Sequence, residues 1–195
     1  MEAAEMRHIF EKVGAVREGH FELSSGRHSA VYVQCALVLQ HPDVAEKLGR
    51  ALAEKFRSAE IDCVVSPALG GVLVGHELGR ALGVRAIFVE RDSSGHMALR
   101  RGFSIRPGEK VVVVEDVWTT GGSTRETMSI VEQAGGRAVA AAALIDRSNG
   151  RLEWDVPAKA LLDINIPSYE VFECPQCRKG EPITKPGSHF VRAEA

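Results

Sequence analysis

The stretch that decides the fold runs from residue 111 to residue 124 and reads VVVVEDVWTTGGST. Its four consecutive valines are apolar on both faces of a strand, which is typical of a central parallel strand covered by helices on either side. Two carboxylates, Glu115 and Asp116, follow at the end of this strand, and a Thr/Gly/Ser loop then opens a helix. Ser123 and Glu126 match an S-x-x-E capping box, which predicts that the helix begins near Ser123.

The flanking segments extend this alternation of strands and helices. A helix is predicted from an apolar stripe that follows His-Pro, and the alanines of RAVAAAALID would also suit a helix, but GG and SNG bound that segment and favour a strand. The predicted helices are 43–57, 71–82 and 123–135, and the predicted strands are 61–67, 85–90, 110–116 and 137–146. The pattern indicates an α/β fold with a doubly wound, mainly parallel sheet, in which ligands bind beyond the carboxyl ends of the strands.

One domain is expected, because the chain has 195 residues, is 45% hydrophobic, and contains no repeat or Pro/Gly-rich linker. Its core should span about residues 40–150. The terminal segments, about 1–39 and 151–195, do not follow the alternation and are expected to pair as a small flap or hood over the site.

The composition excludes several classes of function. A net charge of -2 provides no general field for nucleic acid or an anionic membrane. The first sixteen residues alternate in charge, so they resemble neither a signal peptide nor a membrane span. Cys35 and Cys63 lie in apolar surroundings that suit reduced thiols. We therefore expect a soluble, cytoplasmic protein without nucleic-acid or membrane partners.

The loop after the acidic pair is suited to a phosphate monoester. The backbone amides of Gly121, Gly122 and Ser123 and the hydroxyls of Thr119, Thr120 and Ser123 can converge on an anion at the positive end of the helix. The chain has no G-x-x-x-x-G-K-[ST] or G-x-G-x-x-G motif, which disfavours nucleotide hydrolysis and dinucleotide binding. Two carboxylates would repel a nearby phosphate unless they face sugar hydroxyls or a divalent cation. A ribose 5-phosphate supplies both the phosphate for the loop and the hydroxyls for the two acids.

An apolar strand, two acidic residues and TTGGS together resemble the phosphoribosyl-pyrophosphate signature of the type I phosphoribosyltransferases. The resemblance implies that the substrate is bound by a continuous run of residues: Glu115, Asp116, Val117, Trp118, Thr119, Thr120, Gly121, Gly122 and Ser123.

Three further segments are similar to the orotate branch of this superfamily: LSSGRHSAVY at 23–32, LIDRSNG at 144–150, and RGFSIRPGEKV at 101–111 together with the tail CPQCRKGEPITKPGS. The resemblance implies that Tyr32 packs on orotate and that Arg147 meets it beside Thr119. Without the resemblance, Tyr32 is an ordinary sheet aromatic and Arg147 a partner for Asp146. Ser24 stands where the family has a lysine.

A second glycine-rich turn, SPALGGV at 66–72, also joins an apolar strand to a helix. Its family counterpart holds pyrophosphate. The resemblance implies the same role for the amides of Ala68, Leu69, Gly70 and Gly71, which carry no side-chain charge, so binding would depend on peptide dipoles. A tight structural turn is the alternative.

Residues 91–101, which we call the lid segment, read RDSSGHMALRR and carry a local charge of +2, from three arginines and one aspartate. They are expected to form a mobile basic loop. The family resemblance implies that this loop closes over pyrophosphate in the neighbouring subunit of a homodimer, with Arg91 and His96 as catalytic residues. The family's lysines are absent here, and Asp92 and His96 are among the residues that replace them.

The implied activity is that of an orotate phosphoribosyltransferase, a pentosyltransferase of pyrimidine (UMP) biosynthesis, with Mg²⁺ carried by the substrate rather than bound directly by protein ligands. Two alternatives stay open: a purine phosphoribosyltransferase, and a non-catalytic regulator that senses phosphoribosyl pyrophosphate. Separately, Cys174 and Cys177 form CPQC, half of a zinc site, whose other ligands would have to come from His189 or a second subunit. A plain tail turn or a redox-prone cysteine pair would give the same spacing.

Overall fold

The computed structural model describes residues 3–23 and 25–186, and it has the α/β architecture that the sequence predicts. Two sheets are present in this part of the chain. The strands are β1 (Val16–Glu22), β2 (His28–Val33), β3 (Cys63–Pro67), β4 (Arg85–Arg91), β5 (Met97–Leu99), β6 (Lys110–Trp118), β7 (Arg137–Asp146), β8 (Ala158–Asp163) and β9 (Ser168–Tyr169). The helices are α1 (Ala3–Lys12), α2 (Ala36–Leu39), α3 (Pro42–Glu54), α4 (Gly70–Leu82), α5 (Gly122–Gln133) and α6 (Pro175–Arg178).

The larger sheet has six strands in the order β5-β4-β3-β6-β7-β8. Its strands pair in parallel except for β5, which runs antiparallel to β4 at one edge. The valine-rich strand β6 is central, as predicted. Val112 and Val114 pack into a core with α1, α3 and α4, whereas Val111 and Val113 pack into a second core with α5. Alternate valines thus serve opposite faces, which explains why every one of them is apolar.

The alanine-rich segment is strand β7, over the same ten residues that were predicted. It lies between β6 and β8, and both of its faces are covered. Ala140 and Ala142 join the core of α3 and α4, while Ala141 and Ala143 pack under Trp118. Small side chains suit this position because helices and an indole approach the strand closely from both sides.

The smaller sheet, which we call the hood sheet, consists of β1, β2 and β9 in that order, all antiparallel. The C-terminal segment also returns to it, because Thr184 bridges to Phe21 and its backbone amide donates to the carbonyl of His20. The expected pairing of N-terminal and C-terminal segments is therefore present. The boundaries differ, since α1 and β8 lie in the core: Met6 and Phe10 of α1 are buried there with Leu162 of β8.

No helix in the described ranges has the length and apolarity that a membrane crossing requires. The longest helices, α3 and α4, contain thirteen residues each and pack against one another and the sheet.

Helices α3 and α4 meet at a glycine. A Cβ atom built on Gly49 would lie 2.8 Å from the backbone carbonyl carbon and oxygen of Glu77, which cannot move aside as a side chain can. We expect Gly49→Ala to lower the free energy of unfolding by about 1–2 kcal/mol, because overpacking outweighs the gain in helix propensity of about 1 kcal/mol. Denaturant unfolding measures this change. Lys47→Ala, on the exposed side of the same helix, should stay within about 0.5 kcal/mol of wild type; a Gly49→Ala protein as stable as this control would contradict the packing argument.

Candidate active site

The sequence predicts ligand binding at the carboxyl ends of the strands, and these ends lie along one edge of the six-stranded sheet. Strands β3, β6 and β7 run parallel and end at Pro67, Trp118 and Asp146. A pocket lined by Asp146 and Asp163 opens at the ends of β7 and β8. Two further pockets at this edge contain predicted site residues. One is lined by Thr119, Thr120 and Arg147 together with residues of the hood sheet region, and the other by Asp116, Leu69 and Gly70 together with Tyr32. Such an edge is where doubly wound sheets bind their ligands.

Glu115 faces helix α5 and is held by a chain of hydrogen bonds. The Thr124 hydroxyl donates to its Oε2 at 2.6 Å, and the indole Nε1 of Trp118 donates to Thr124 Oγ1 at 3.1 Å. Burial raises the pKa of Glu115 to about 7, the hydrogen bond from Thr124 opposes this shift, and the neighbouring Asp116 adds to it. The carboxyl group is therefore fixed in position and close to half-ionised at neutral pH.

Asp116 faces the opposite side of the sheet, because successive side chains of a strand alternate. Its carboxylate lies against Gly70, where a Cβ atom would approach Oδ1 to 2.7 Å. Burial raises the pKa of Asp116, although backbone amides of Val117 and Asp116 itself donate to it. The two adjacent acids are therefore separated. Glu115 reaches towards the loop of residues 119–123, which we call the phosphate loop after its predicted ligand, and Asp116 reaches towards the second glycine-rich turn.

The phosphate loop begins helix α5 differently from the prediction. The N-cap is Gly121, with φ 72° and ψ 8°, and no side chain caps the helix. The capping box of Ser123 and Glu126 is therefore wrong, since Glu126 accepts hydrogen bonds from Arg91 and from the amide of Met97 instead. A glycine is required at position 121 because its φ lies in the left-handed region and a Cβ atom would crowd Trp154 at 3.0 Å.

Arg125 braces this loop from the side. Its Nη1 donates to the Thr120 carbonyl at 3.0 Å, its Nη2 donates to the Glu153 carbonyl at 2.9 Å, and its guanidinium lies 4.9 Å from the ring centre of Trp154. Trp118 is buried beneath Trp154, with ring centres 4.8 Å apart. Any contact of Trp118 with a substrate is therefore confined to its backbone.

The second glycine-rich turn also differs in one detail. The amide of Ala68 already donates to the carbonyl of Val89 at 2.8 Å, so it is not free for an anion as predicted. The peptide between Ala68 and Leu69 is cis. Helix α4 starts at Gly70, with Leu69 as its N-cap and no side-chain cap, so the amides of its first turn are directed at this edge of the sheet. The Leu69 side chain is largely exposed.

Arg147 is a buried cation without a side-chain partner in the described ranges. The residue is 9% exposed and its Nε has no hydrogen bond, while its backbone amide donates to the carbonyl of Trp118. The expected alternative, a pair with Asp146, is absent, because the Asp146 carboxylate accepts from the amide of Ser148. Burial lowers the pKa of Arg147. A buried guanidinium needs an acceptor, so this position is prepared for an anionic ligand.

Tyr32 lies on β2 in the hood sheet, next to Phe21, with ring centres 5.7 Å apart. Burial, and after it the Asp116 carboxylate, raise the pKa of Tyr32. The structure thus brings Thr119 and Arg147 together in one pocket, whereas Tyr32 lines the other one with Asp116.

The lid segment is a β-hairpin and not an open loop. Strands β4 and β5 pair through Arg91 and Met97, and the Asp92 carboxylate accepts from the amides of Ser94 and His96 at the turn. The exposed His96 lies at this turn. The expected surplus of positive charge is compensated, because Arg91 pairs with Glu126 at 3.0 Å and Arg100 and Arg101 pair with Glu90.

Comparisons with solved structures support the fold. The crystal structure of orotate phosphoribosyltransferase from Aeropyrum pernix matches 82% of this chain and 93% of its own, with a TM-score of 0.70 and 26% identity. The adenine phosphoribosyltransferase from Rhodothermus marinus matches 81% of this chain and 99% of its own, with a TM-score of 0.59 and the same 26% identity. Structural similarity alone therefore does not separate enzymes named for different bases.

Sequence comparisons point to the orotate enzymes. The family model described as "Phosphoribosyl transferase domain" matches residues 36–176. The chain is 54% identical to the orotate phosphoribosyltransferase of Pelotomaculum thermopropionicum, over 94% of this chain and 96% of the relative. It is 56% identical to that of Heliobacterium modesticaldum, over 92% of this chain and 95% of the relative. The chain belongs to the orotate phosphoribosyltransferase family.

Sequence reasoning missed several residues around the candidate site. Arg27 and Arg151 line the pocket of Arg147, and Arg125 supports the phosphate loop. Arg27 could have been predicted from the sequence, because it belongs to the SGR segment that carried the resemblance. It donates to Ser168 and pairs with Glu170, so it joins β2 to β9. Ser24, which was noted in place of the lysine expected from the family resemblance, lies outside the described residues.

The burial of Glu115 generates a pH-dependent prediction. The native state keeps a proton on Glu115 up to about pH 7, whereas the ordinary value of this carboxyl is 4.5, so folding stability is lost as the pH rises through this interval. Glu115→Gln keeps an oxygen acceptor for Thr124 and stays neutral. Its free energy of unfolding relative to wild type should rise between pH 5 and pH 8 by on the order of 1–3 kcal/mol.

Denaturant titrations of both proteins at each pH measure this difference. Glu132→Gln, an exposed glutamate on the helix α5 that Glu115 faces, is the control and should give a difference that does not vary with pH. A flat or falling difference for Glu115→Gln would contradict the assignment of a buried, protonated Glu115.

Proposed function

We propose that this chain transfers ribose 5-phosphate from phosphoribosyl pyrophosphate to orotate, giving orotidine 5'-phosphate and pyrophosphate on the route to UMP. The observation that carries the proposal is Arg147, a buried guanidinium without a side-chain partner in the described residues, which lines a pocket with Thr119 of the phosphate loop. Orotate has the anionic carboxylate and the carbonyl oxygens that such a group would bind, whereas adenine has neither a carboxylate nor a carbonyl.

The ribose 5-phosphate is placed by the loop that opens α5. Its phosphate would accept hydrogen bonds from the amides of Gly121, Gly122 and Ser123 and from the hydroxyls of Thr119, Thr120 and Ser123. Asp116 and Glu115 approach from opposite sides of β6 and would hold the ribose hydroxyls between the two glycine-rich turns. Tyr32 lines the neighbouring pocket with Asp116 and would pack on the base from that side.

The reaction is a displacement at the anomeric carbon. The ring nitrogen of orotate forms a bond to this carbon as the bond from the carbon to the pyrophosphate oxygen breaks, and the bonding electrons leave with pyrophosphate. The N–H bond of the attacking nitrogen also breaks, and its proton passes to the leaving pyrophosphate or to solvent. Positive charge develops on the ribose during this step, beside the Asp116 carboxylate. Catalysis would come from positioning and electrostatic stabilisation, without a covalent enzyme intermediate. Arg91 and His96 are assigned to the leaving pyrophosphate.

Magnesium enters this proposal as part of the substrate. Glu115 and Asp116 face opposite sides of the sheet, and within the described residues no group of three or more potential metal ligands lies at this edge. The fit to a metal held directly by the protein is therefore poor, whereas the oxygens of pyrophosphate suit Mg²⁺ that retains water ligands. Mg²⁺ bound in this way neutralises charge on the leaving group.

A purine phosphoribosyltransferase would need the same phosphate loop, and a sensing protein would bind phosphoribosyl pyrophosphate without turning it over. An ultraviolet assay with Mg²⁺ and phosphoribosyl pyrophosphate separates these functions. We expect orotate to be consumed and adenine, hypoxanthine and xanthine to be unchanged. Turnover of a purine in preference to orotate, or binding without turnover of any base, would overturn the proposal.

Arg147 is tested by substitution. We expect Arg147→Ala to raise the KM for orotate by roughly ten- to a hundredfold, since losing a charge-assisted hydrogen bond costs about 1.5–3 kcal/mol, while the KM for phosphoribosyl pyrophosphate changes much less. Arg137→Ala, at the exposed opposite end of the same strand, is the matched control and should leave both constants near wild type. Equal increases in the two KM values for Arg147→Ala would contradict a role in orotate recognition.

We further propose that the protein works as a cytoplasmic homodimer in which the lid segment of one subunit serves the phosphate loop of the other. The buried free thiols of Cys35 and Cys63 support a reducing compartment. Arg91 is half-exposed and its ion pair with Glu126 is accessible to solvent, so exchange of this carboxylate for pyrophosphate costs little.

Mixed dimers test the sharing of the lid segment. Arg91→Ala and Asp116→Asn should each be nearly inactive, and a dimer of one chain of each contains one site with both defects and one with neither. Co-refolding equal amounts of differently tagged variants should therefore restore about a quarter of wild-type activity, because half of the dimers are mixed. Each variant refolded alone is the control. Mixed dimers that are recovered through both tags but stay inactive would assign Arg91 to its own subunit.

A further inference from the structure

We propose that His20, His28, Cys174 and Cys177 form a structural zinc site that joins the hood sheet to the C-terminal segment. Their ligand atoms all lie within 4.8 Å of one another. The two histidines come from the hairpin of β1 and β2. Cys174 immediately precedes α6, and Cys177 lies within it. The site lies outside the residues assigned to orotate and phosphoribosyl pyrophosphate, and the proposal does not depend on the reaction.

The separations match tetrahedral coordination. His20 Nε2 lies 3.0 Å from His28 Nδ1 and 3.5 Å from Cys174 Sγ. Cys177 Sγ lies 3.2 Å from His28 Nδ1 and 3.6 Å from His20 Nε2. A tetrahedral zinc ion with ordinary bond lengths holds two nitrogens about 3.3 Å apart and a nitrogen and a sulfur about 3.6 Å apart. These four separations are therefore close to the tetrahedral values, and no two of the four ligand atoms are more than 4.8 Å apart.

The ring orientation of His20 also suits a metal. Its Nδ1 lies 2.9 Å from the carbonyl oxygen of Glu181 and donates to it, which leaves the unprotonated Nε2 directed at the cluster. A backbone carbonyl on the second nitrogen is the usual arrangement for a histidine that binds a metal. In the absence of a metal, Nε2 of His20 and Nδ1 of His28 would face each other with one proton at most between them.

The donor set and its burial identify the class of ion. Two thiolates and two imidazoles in a tetrahedral arrangement favour zinc over magnesium or calcium, which prefer oxygen ligands. His20, His28 and Cys174 are buried, and all four coordination positions are supplied by protein. A closed site of this kind is structural, because it leaves no position for a substrate or an activated water.

These ligands correct the expectation from sequence. The CPQC pair does have two further ligands, but they are His20 and His28 of the same chain, so neither a second subunit nor His189 is needed. His189 itself lies outside the described residues. The histidines were not recognised because they precede the cysteines by about 150 residues and do not follow the spacing of a zinc finger.

The proposed zinc ion would cross-link the hood sheet to the C-terminal segment. The cysteines follow β9, and beyond them Thr184 pairs with β1. A bound zinc ion would therefore fix α6 against the hairpin that also carries Arg27 and Tyr32. Removal of the metal should loosen the hood sheet and leave the six-stranded sheet in place.

Metal analysis of the full-length protein tests the site. We expect protein purified under reducing conditions without chelator to contain about one zinc ion per chain, and the reduced apoprotein to take up Co²⁺ with the intense visible bands and thiolate charge-transfer band of a tetrahedral sulfur-ligated ion. Cys174→Ser and His28→Ala should lose both signals. His76→Ala, an exposed histidine on α4, is the matched control and should retain both.

The cobalt spectrum of the wild-type protein decides the question even if a variant fails to fold. The proposal is overturned if the reduced apoprotein binds neither Zn²⁺ nor Co²⁺ stoichiometrically, if its cobalt spectrum lacks the thiolate band, or if a well-folded Cys174→Ser protein binds as wild type does. Thiol titration gives a further opposing outcome: a Cys174–Cys177 disulfide in metal-free protein purified anaerobically would assign the pair to redox chemistry.

Discussion

The fold depends on strand β6, because both of its faces must be shielded from water. Every valine of β6 from Val111 to Val114 is fully buried, alternately under α4 and under α5. Only a central position in a parallel sheet satisfies such a strand, and parallel neighbours can be connected only by crossovers that bring their carboxyl ends to the same edge. The hydrophobic requirement of four residues therefore determines where the polar residues that follow each strand must meet.

The same burial determines the electrostatics of that edge. Glu115 and Asp116 follow the valines directly, and incomplete access to water raises the pKa of both carboxyls. Arg147 follows β7 and is equally withdrawn from solvent, with a lowered pKa. The site thus keeps acids and a guanidinium apart from one another and from water, at a cost in stability. Charged groups that are fixed in position and lack a partner bind a ligand of complementary charge more strongly, because they need no rearrangement when it arrives.

The sequence was sufficient for features that depend on local pattern. The burial of both faces of β6, the strand assignment of β7 and the His-Pro start of α3 were read correctly because strand and helix patterns act over a few residues. The capping box failed because Gly121 adopts a left-handed conformation two residues before Ser123, and Glu126 has a competing cationic partner in Arg91. Glu126 and Arg91 are 35 residues apart, and no local pattern encodes such a pair.

Long-range pairing accounts for the remaining differences. The amide of Ala68 is occupied by Val89 of a neighbouring strand, β8 joins the core sheet at its far edge, and His20 meets Cys174 across most of the chain. The resemblance to the orotate phosphoribosyltransferase family named Arg147 and Tyr32 as site residues but could not assign them to separate pockets. Which pocket a side chain enters depends on how the hood sheet lies on the core, and this is a property of the folded chain.

The hood sheet is assembled from both ends of the described chain, since β1 pairs with β2 and then with the segment around Thr184. During synthesis, the strands of the core sheet are complete once Asp163 has left the ribosome. The pairing of β1 with Thr184, in contrast, needs a segment that lies more than 160 residues downstream of β1. Translation therefore produces a compact core before it produces a closed site. A nascent chain arrested in this interval would present the loop that opens α5 beside a hood sheet that still lacks β9 and the segment around Thr184.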